Sequence, residues 1–417
     1  MKGIKLSYLA TIPLLILPPI DILSLTDLQI SGTWTEVFPS PSPGARRGAA
    51  WAYDSINNVI VLFGGVPRTS ETWIYDLETE SWEQKFPALS PPGRSLHAMT
   101  FDSRNGLVIL FGGYKTSHSD ELNDTWVYDV RTNTWRQLHP DASPPERHWP
   151  GLAYDSKNGM VVLFGGHNRF VDISQEQLND TWLLDVVAET WTQVFPAESP
   201  SPRQTYLIYN ERNGLIYAFG GKYEVDVGGQ NFDLLYYNDM WSYDLSGNTW
   251  TKLLDNSSAT NVPAPRRTKT AYEPVNDLVI LFGGEGSKIK GTGMFRAYND
   301  TWIYNFHTNT WAEITPTISP PGRFVYVIIY DPFNHKALLY GGDSIPPSGF
   351  IDIWELVVRT GRTLEAENTT PTKPMVPSEP TEPTFVGYNR TFLLAVGGAL
   401  IVAIGLAAFF IKRQLKK

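Results

Sequence analysis

Not one cysteine occurs among the 417 residues. That single absence excludes disulfides, thiolate metal sites and cysteine nucleophiles together. Whatever holds the chain together is therefore core packing, although the absence does not fix the compartment. Basic residues are also outnumbered, 34 Lys and Arg against 43 Asp and Glu, for a formal net charge of −9. No nucleic-acid partner is expected, because neutralising a phosphate backbone takes clustered positive charge. No G-x-S-x-G element or phosphate-binding loop is present. What the chain has instead is 14 Trp, 20 Tyr, 20 Phe, 34 Gly and 31 Pro. That mixture suits many short strands joined by tight turns.

The two ends read differently from the middle. Lys2 and Lys5 precede an apolar stretch from Leu6 to Ile20, which is signal-length and short for a membrane span. Pro13, Pro18, Pro19 and Asp21 interrupt it and no small-x-small cleavage site follows. A cleaved signal, a retained anchor and a buried segment of the fold are the alternatives for residues 1–29. Residues 391–411 form an uncharged run followed at once by Lys412, Arg413, Lys416 and Lys417. Such a run crosses about 30 Å of hydrocarbon as a helix, and cationic flanks stay in the cytoplasm. The expectation is one C-terminal transmembrane helix, a cytoplasmic tail at 412–417 and everything before residue 390 outside a cell membrane. Residues 363–390 carry Pro371, Pro374, Pro377, Pro380 and Pro383 at every third position. Polyproline II has three residues per turn, so this segment reads as an extended stalk.

The segment between these ends, residues 30–362, repeats itself. Diglycine closes an apolar run six times, at Gly64-Gly65, Gly112-Gly113, Gly165-Gly166, Gly220-Gly221, Gly283-Gly284 and Gly341-Gly342. An acidic-x-Trp element follows each, giving Trp73, Trp126, Trp182, Trp241, Trp302 and Trp354. Nine residues later a second Trp appears in five units, at Trp82, Trp135, Trp191, Trp250 and Trp311. A Pro-rich stretch ending in arginine precedes each diglycine run, at Arg46, Arg94, Arg147, Arg203, Arg266 and Arg323. Turns such as DSRNG and DSKNG lie between arginine and diglycine, with Asn and Gly able to take the left-handed conformation of a tight hairpin. Each unit is thus predicted to be four strands, a to d.

Six concordant copies of this pattern resemble the kelch-repeat family, whose signature is a diglycine followed by spaced aromatics. The resemblance covers roughly residues 32–358. It implies an all-β fold, a six-bladed kelch-type β-propeller of four-stranded antiparallel blades. Diglycine makes room for close packing, and the paired tryptophans fill the wedges between blades. The sixth unit has no second Trp, but Trp34 stands twelve residues before Arg46, the spacing also seen from Trp82, Trp135, Trp191 and Trp311 to the next arginine. An N-terminal strand is therefore expected to complete the last blade and close the ring.

Spacing also locates the variable loops. Arginine to second Gly is always 18 or 19 residues, whereas diglycine to c-strand Trp runs 8, 13, 16, 20, 18 and 12. In an antiparallel blade the b–c and d–a connections share a face, and long loops on a rigid scaffold are where recognition resides. The expected function is a cell-surface recognition or scaffold module that binds protein or glycan through that face. Candidate ligand residues are the six arginines as a rim, with Phe170, Tyr223, Phe232, Tyr236, Tyr237, Phe295 and Tyr298 on the longer loops. The competing reading of the arginines is structural, with Glu71, Asp124, Asp180, Asp239, Asp300 and Asp352 as partners. Enzyme activity is the less favoured alternative, as an extracellular carbohydrate-active hydrolase, epimerase or non-copper oxidase; the family's copper oxidases use a cysteine that this chain lacks. The seven histidines (His97, His118, His139, His148, His167, His307 and His335) show no metal-ligand spacing, so no metal or cofactor is expected, although propeller sites assemble from distant loops.

Overall fold

A computed structural model describes residues 30–360, apart from 116–119, 169–176, 229–230, 291, 293 and 345–348. The leader, the stalk, the 391–411 run, the basic tail and Phe170 lie outside the described residues. Phe232 lies in a described strand whose side chain there is not described. Among the described residues no helix is long and apolar enough to cross a membrane.

The described chain forms six four-stranded antiparallel sheets. Blade 1 comprises Ala50–Asp54, Val59–Phe63, Thr72–Asp76 and Ser81–Lys85, and blade 2 Ala98–Asp102, Leu107–Phe111, Thr125–Asp129 and Thr134–Leu138. Blade 3 comprises Gly151–Asp155, Met160–His167, Gln177–Asp185 and Thr190–Val194. Blade 4 comprises Leu207–Asn210, Leu215–Gly228, Asn231–Asp244 and Thr249–Leu254. Blade 5 comprises Thr270–Glu273, Leu278–Lys288, Phe295–Asn305 and Thr310–Ile314. Blade 6 has Val327–Asp331, Lys336–Tyr340 and Ile353–Arg359, and Ser31–Val37 lies against the last of these, with Trp34 opposite Leu356.

Turn chemistry sets the a–b hairpins. Asp102 Oδ1 accepts from the Arg104 and Asn105 amides while Asn105 Nδ2 donates to Asp102 Oδ2. Asp54 with Asn57, and Asp331 with Asn334, repeat the arrangement. The DSxNG elements are hairpin turns.

Among the described residues there is no single core. Six apolar clusters each join two neighbouring blades. In each, the aromatic residue before a diglycine meets the d-strand Trp of the next blade. Ring centroids are 5.3 Å apart for Phe63–Trp135, 5.4 Å for Phe111–Trp191, 4.9 Å for Phe164–Trp250 and 4.8 Å for Phe219–Trp311. Phe282–Trp34 (5.2 Å) and Tyr340–Trp82 (5.5 Å) complete the set. Inclined pairs at these separations suit the ring quadrupoles.

Candidate functional site: the mouth of the central channel

The motif that repeats most faithfully builds the floor of the candidate face. Arg94 donates from Nη1 and Nη2 to the two carboxylate oxygens of Asp124 (2.6 and 2.7 Å) and from Nη1 to the Gly112 carbonyl. Asp124 also accepts from Trp126 Nε1 at 2.7 Å. Arg147 with Asp180, Arg203 with Asp239, Arg266 with Asp300 and Arg323 with Asp352 repeat this set. Arg46 pairs with Glu71, which also takes the Trp73 indole N–H. The guanidinium groups of the five Asp-paired arginines are at most 1% exposed. Their donors are directed into the protein, so the rim of arginines proposed from the sequence is spent on holding diglycine, acid and Trp together. Loop aromatics cover the guanidinium faces. Tyr237 stacks on Arg203, Tyr298 on Arg266 and Phe350 on Arg323, at 3.8–4.0 Å. Tyr237 and Tyr298 thus have a packing role.

Why diglycine is required follows from the next contact. The second Gly amide of one blade donates to the arginine carbonyl of the next, from Gly65 to Arg94, Gly113 to Arg147, Gly166 to Arg203, Gly221 to Arg266 and Gly284 to Arg323, and from Gly342 to Arg46. The same approach leaves no room beside the first Gly. A Cβ on Gly64, Gly112, Gly165, Gly220 or Gly341 would lie 2.5–2.7 Å from that arginine oxygen. All six first glycines also have φ between +55° and +69°, where glycine alone is unstrained.

One residue beyond each arginine and each diglycine, chemistry stops repeating while geometry does not. These residues pair as isolated bridges, Arg47 with Val66, Ser95 with Tyr114, His148 with His167, Gln204 with Lys222, Arg267 with Glu285 and Phe324 with Asp343. They ring the mouth of the channel and were missed by the sequence reading, which followed the repeating positions. The available signal was the reverse, a fixed position in the repeat occupied by six different pairs.

On one side of the mouth the chain arches from blade to blade. Gly48, Leu96, Trp149 and Val325, all at positive φ, link blades 6, 1, 2 and 3 through Gly48 N to Val325 O, Leu96 N to Gly48 O and Trp149 N to Leu96 O. In blades 4 and 5 the equivalent residues are Thr205 and Thr268, whose hydroxyls turn to strand b of their own blade. There an ion network takes over. Lys222 Nζ is 3.0 Å from Glu285 and 2.8 Å from Glu224, Arg267 pairs with Glu285 and donates to Gln204 Oε1, and Tyr236 donates to Glu285 Oε1 at 2.8 Å. Burial would raise the Glu224 carboxyl, but Lys222 outweighs it and brings the pKa down to about 2. Tyr236 is buried in this network, while Tyr223 and Phe295 are partly exposed and belong to the projecting hairpins.

Beside the arch, Glu121 and two histidines come together. Glu121 Oε1 is 2.6 Å from His148 Nδ1 and 3.9 Å from His167 Nδ1, and all three side chains are buried. Burial holds His148 down to about 4 despite the facing Glu121. Deeper on the axis, all six a strands or the residues just before them line a cavity of about 110 Å³, with His97, Tyr206, Lys269 and Thr270 among its polar residues. Burial lowers Lys269 to about 7, with Arg267 adding to the effect. His97 is likewise held well below its usual range by burial, reinforced by Arg94 and Lys269.

A family model for the KLHDC2/KLHL20/DRC7 kelch-repeats domain matches residues 21–221 and 141–342. The chain belongs to the kelch-repeat family. Kelch domain-containing protein 10 of Xenopus laevis is 25% identical over 206 residues, 48% of this chain and 45% of that protein. The flagellar outer-arm dynein alpha chain of Chlamydomonas reinhardtii is 28% identical over 219 residues, 51% of this chain and 4% of its own length. The kelch chain thus spans less than half of the curated relatives it matches. Among solved structures, that of YjhT superposes with a TM-score of 0.57 at 18% identity, over 77% of this chain and 99% of YjhT, a likeness of fold.

Outside the mouth, Phe38, Phe86 and Phe195 directly follow their d strands and are 73–78% exposed. Each stands four residues after a d-strand Trp and before a proline, a sub-motif that the sequence reading passed over.

Proposed function

We propose that this kelch propeller is a recognition module that binds a macromolecular partner, a protein in the first instance, through the b–c and d–a face. The observation that carries this is the asymmetry of that face. Strands b and c are 14 residues long in blade 4 and 11 in blade 5, against five in blades 1 and 2. Extra paired length beyond the blade makes two hairpins that stand above the mouth, carrying exposed Leu235, Ile289 and Met294. Exposed Phe38, Phe86 and Phe195 lie at the d–a connections of the same face. Exposed large apolar groups beside a rigid polar mouth fit a protein partner better than a sugar. The same reading takes Ser31–Val37 as the strand that closes the ring, and the 391–411 run with its basic flank as an anchor that displays the propeller outside a cell membrane. The sequence of residues 363–411 supports that placement.

Capture of surface proteins and glycans by the full chain tests the proposal, beside a variant in which residues 225–233 are replaced by Asn-Gly. A protein bound by the wild type and lost in the variant is the expected result. Equal capture by both would move recognition off the hairpins, and retention of glycans alone would replace the protein partner by a carbohydrate.

A second reading has its own observation, the convergence of acids and bases at the mouth. It is the less favoured reading, because the exposed apolar groups of the projecting hairpins suit a macromolecular partner.

A further inference from the structure

We infer that Glu121, His148 and His167 form a binding site for a divalent transition-metal ion of the zinc class. One ligand atom from each lies within 4.8 Å of the others. The three come from separate segments: Glu121 from the b–c connection of blade 2, His148 from the entry to blade 3 and His167 from the end of its b strand. Backbone bonds fix all three segments. His148 and His167 exchange amide–carbonyl hydrogen bonds of 3.0 and 2.9 Å, Leu122 N donates to Gly113 O, and Arg147 N donates to Leu122 O. The triad is thus held by the same repeat contacts that hold the blades, a rigidity that metal sites need.

The donor set selects the ion. Two imidazoles and one carboxylate suit zinc and its neighbours, whereas calcium and magnesium prefer all-oxygen shells. Bonds of about 2.0–2.2 Å in a tetrahedral site place ligand atoms about 3.3 Å apart. The observed 2.6 and 3.9 Å lie on either side of that value, and with all three ligand atoms within 4.8 Å of one another, side-chain shifts of about 1–1.5 Å would admit an ion. It would take the place of the hydrogen bond that His148 Nδ1 and Glu121 now share. A further donor is at hand. Gln177 is the cross-strand partner of His167, so its side chain stands on the same face of the sheet. It is buried, and neither amide atom has a hydrogen-bond partner. A buried amide without a partner is costly, so Gln177 keeps a free donor and acceptor for a group bound on that face. Three protein ligands alone leave coordination positions open, as in zinc sites that bind water or substrate.

The test uses the full chain in detergent, purified without a histidine tag, stripped with chelator and titrated with Zn²⁺ and Co²⁺. One ion per chain is expected, with cobalt giving the visible bands of a four- or five-coordinate site. Glu121→Gln is expected to weaken binding by about 10-fold or more and His167→Ala to abolish it, each with an unchanged circular dichroism spectrum. If those variants do not fold, X-ray absorption on the zinc-loaded wild type decides, and two imidazoles in the first shell are expected. Less than about 0.1 equivalent of bound ion, unchanged binding in a folded His167→Ala variant, or a first shell of oxygen alone would each overturn the assignment.

Discussion

Gly112 and Gly106 share the same backbone angle, φ +69°, and differ only in what surrounds them. A Cβ on Gly112 would meet the Arg147 carbonyl at 2.7 Å, whereas on Gly106 its nearest neighbour is the Ile56 side chain at 3.4 Å. Alanine at position 106 should therefore cost only the left-handed backbone, about 1 kcal/mol. At position 112 the blade-to-blade hydrogen bond must also give way, and the cost should exceed about 3 kcal/mol. Urea unfolding of the two variants separates conformation from close approach. A second residue-scale comparison concerns the d-strand indoles. Trp135, Trp191, Trp250 and Trp34 donate to Thr72, Thr125, Thr181 and Thr301 of the preceding blade, at 2.9–3.1 Å. Where that position is Met240 or Ile353, the indoles of Trp311 and Trp82 have no hydrogen-bond partner. Thr125→Val should cost about 1–3 kcal/mol by stranding a buried donor. In a double-mutant cycle that cost should shrink by about 1 kcal/mol when Trp191 is already Phe. The corresponding cycle of Met240→Leu with Trp311→Phe should show no coupling.

Among the elements, Ser31–Val37 is separated from its neighbour Ile353–Arg359 by almost the whole described chain. Its Trp34 fills the cluster between blades 5 and 6, against Phe282. Trp34→Ala should cost about 3–5 kcal/mol. A chain lacking residues 30–38 should lose the cooperative fold or associate through the bare edge of Ile353–Arg359, which size-exclusion chromatography with circular dichroism reads directly. The sequence signal for this strand is the twelve-residue spacing of its Trp to Arg46. The strand count, the diglycine positions and the Arg–acid pairs were legible because each repeats from blade to blade and is demanded by packing that every blade shares. The mouth was not. Glu121, His148 and His167 are distant in sequence and meet only because two blades bring them together, and no spacing rule for a local motif reaches them. The loop aromatics were visible as residues but not as roles. Whether Tyr237 faces a ligand or an arginine depends on where the neighbouring blade places its guanidinium.

At the scale of the molecule, every cluster of apolar residues is shared by two blades, and the Gly-to-Arg hydrogen bonds run on through Gly342 to Arg46. A linear repeat array has terminal repeats with one neighbour each, so it can fray from an end and unfold in steps. Here each blade has two neighbours, and loosening any one interface removes half the packing of two blades at once. Unfolding should therefore be a single transition, with the same midpoint by far-UV circular dichroism and by tryptophan fluorescence. Trp191→Ala between blades 2 and 3 and Trp34→Ala between blades 5 and 6 should lower that one midpoint by comparable amounts, without splitting it. In an open array a weakened internal contact divides the transition while a weakened terminal one does not. Two resolved transitions for Trp191→Ala, with one for Trp34→Ala, would show that the blades act as a row and not as a ring.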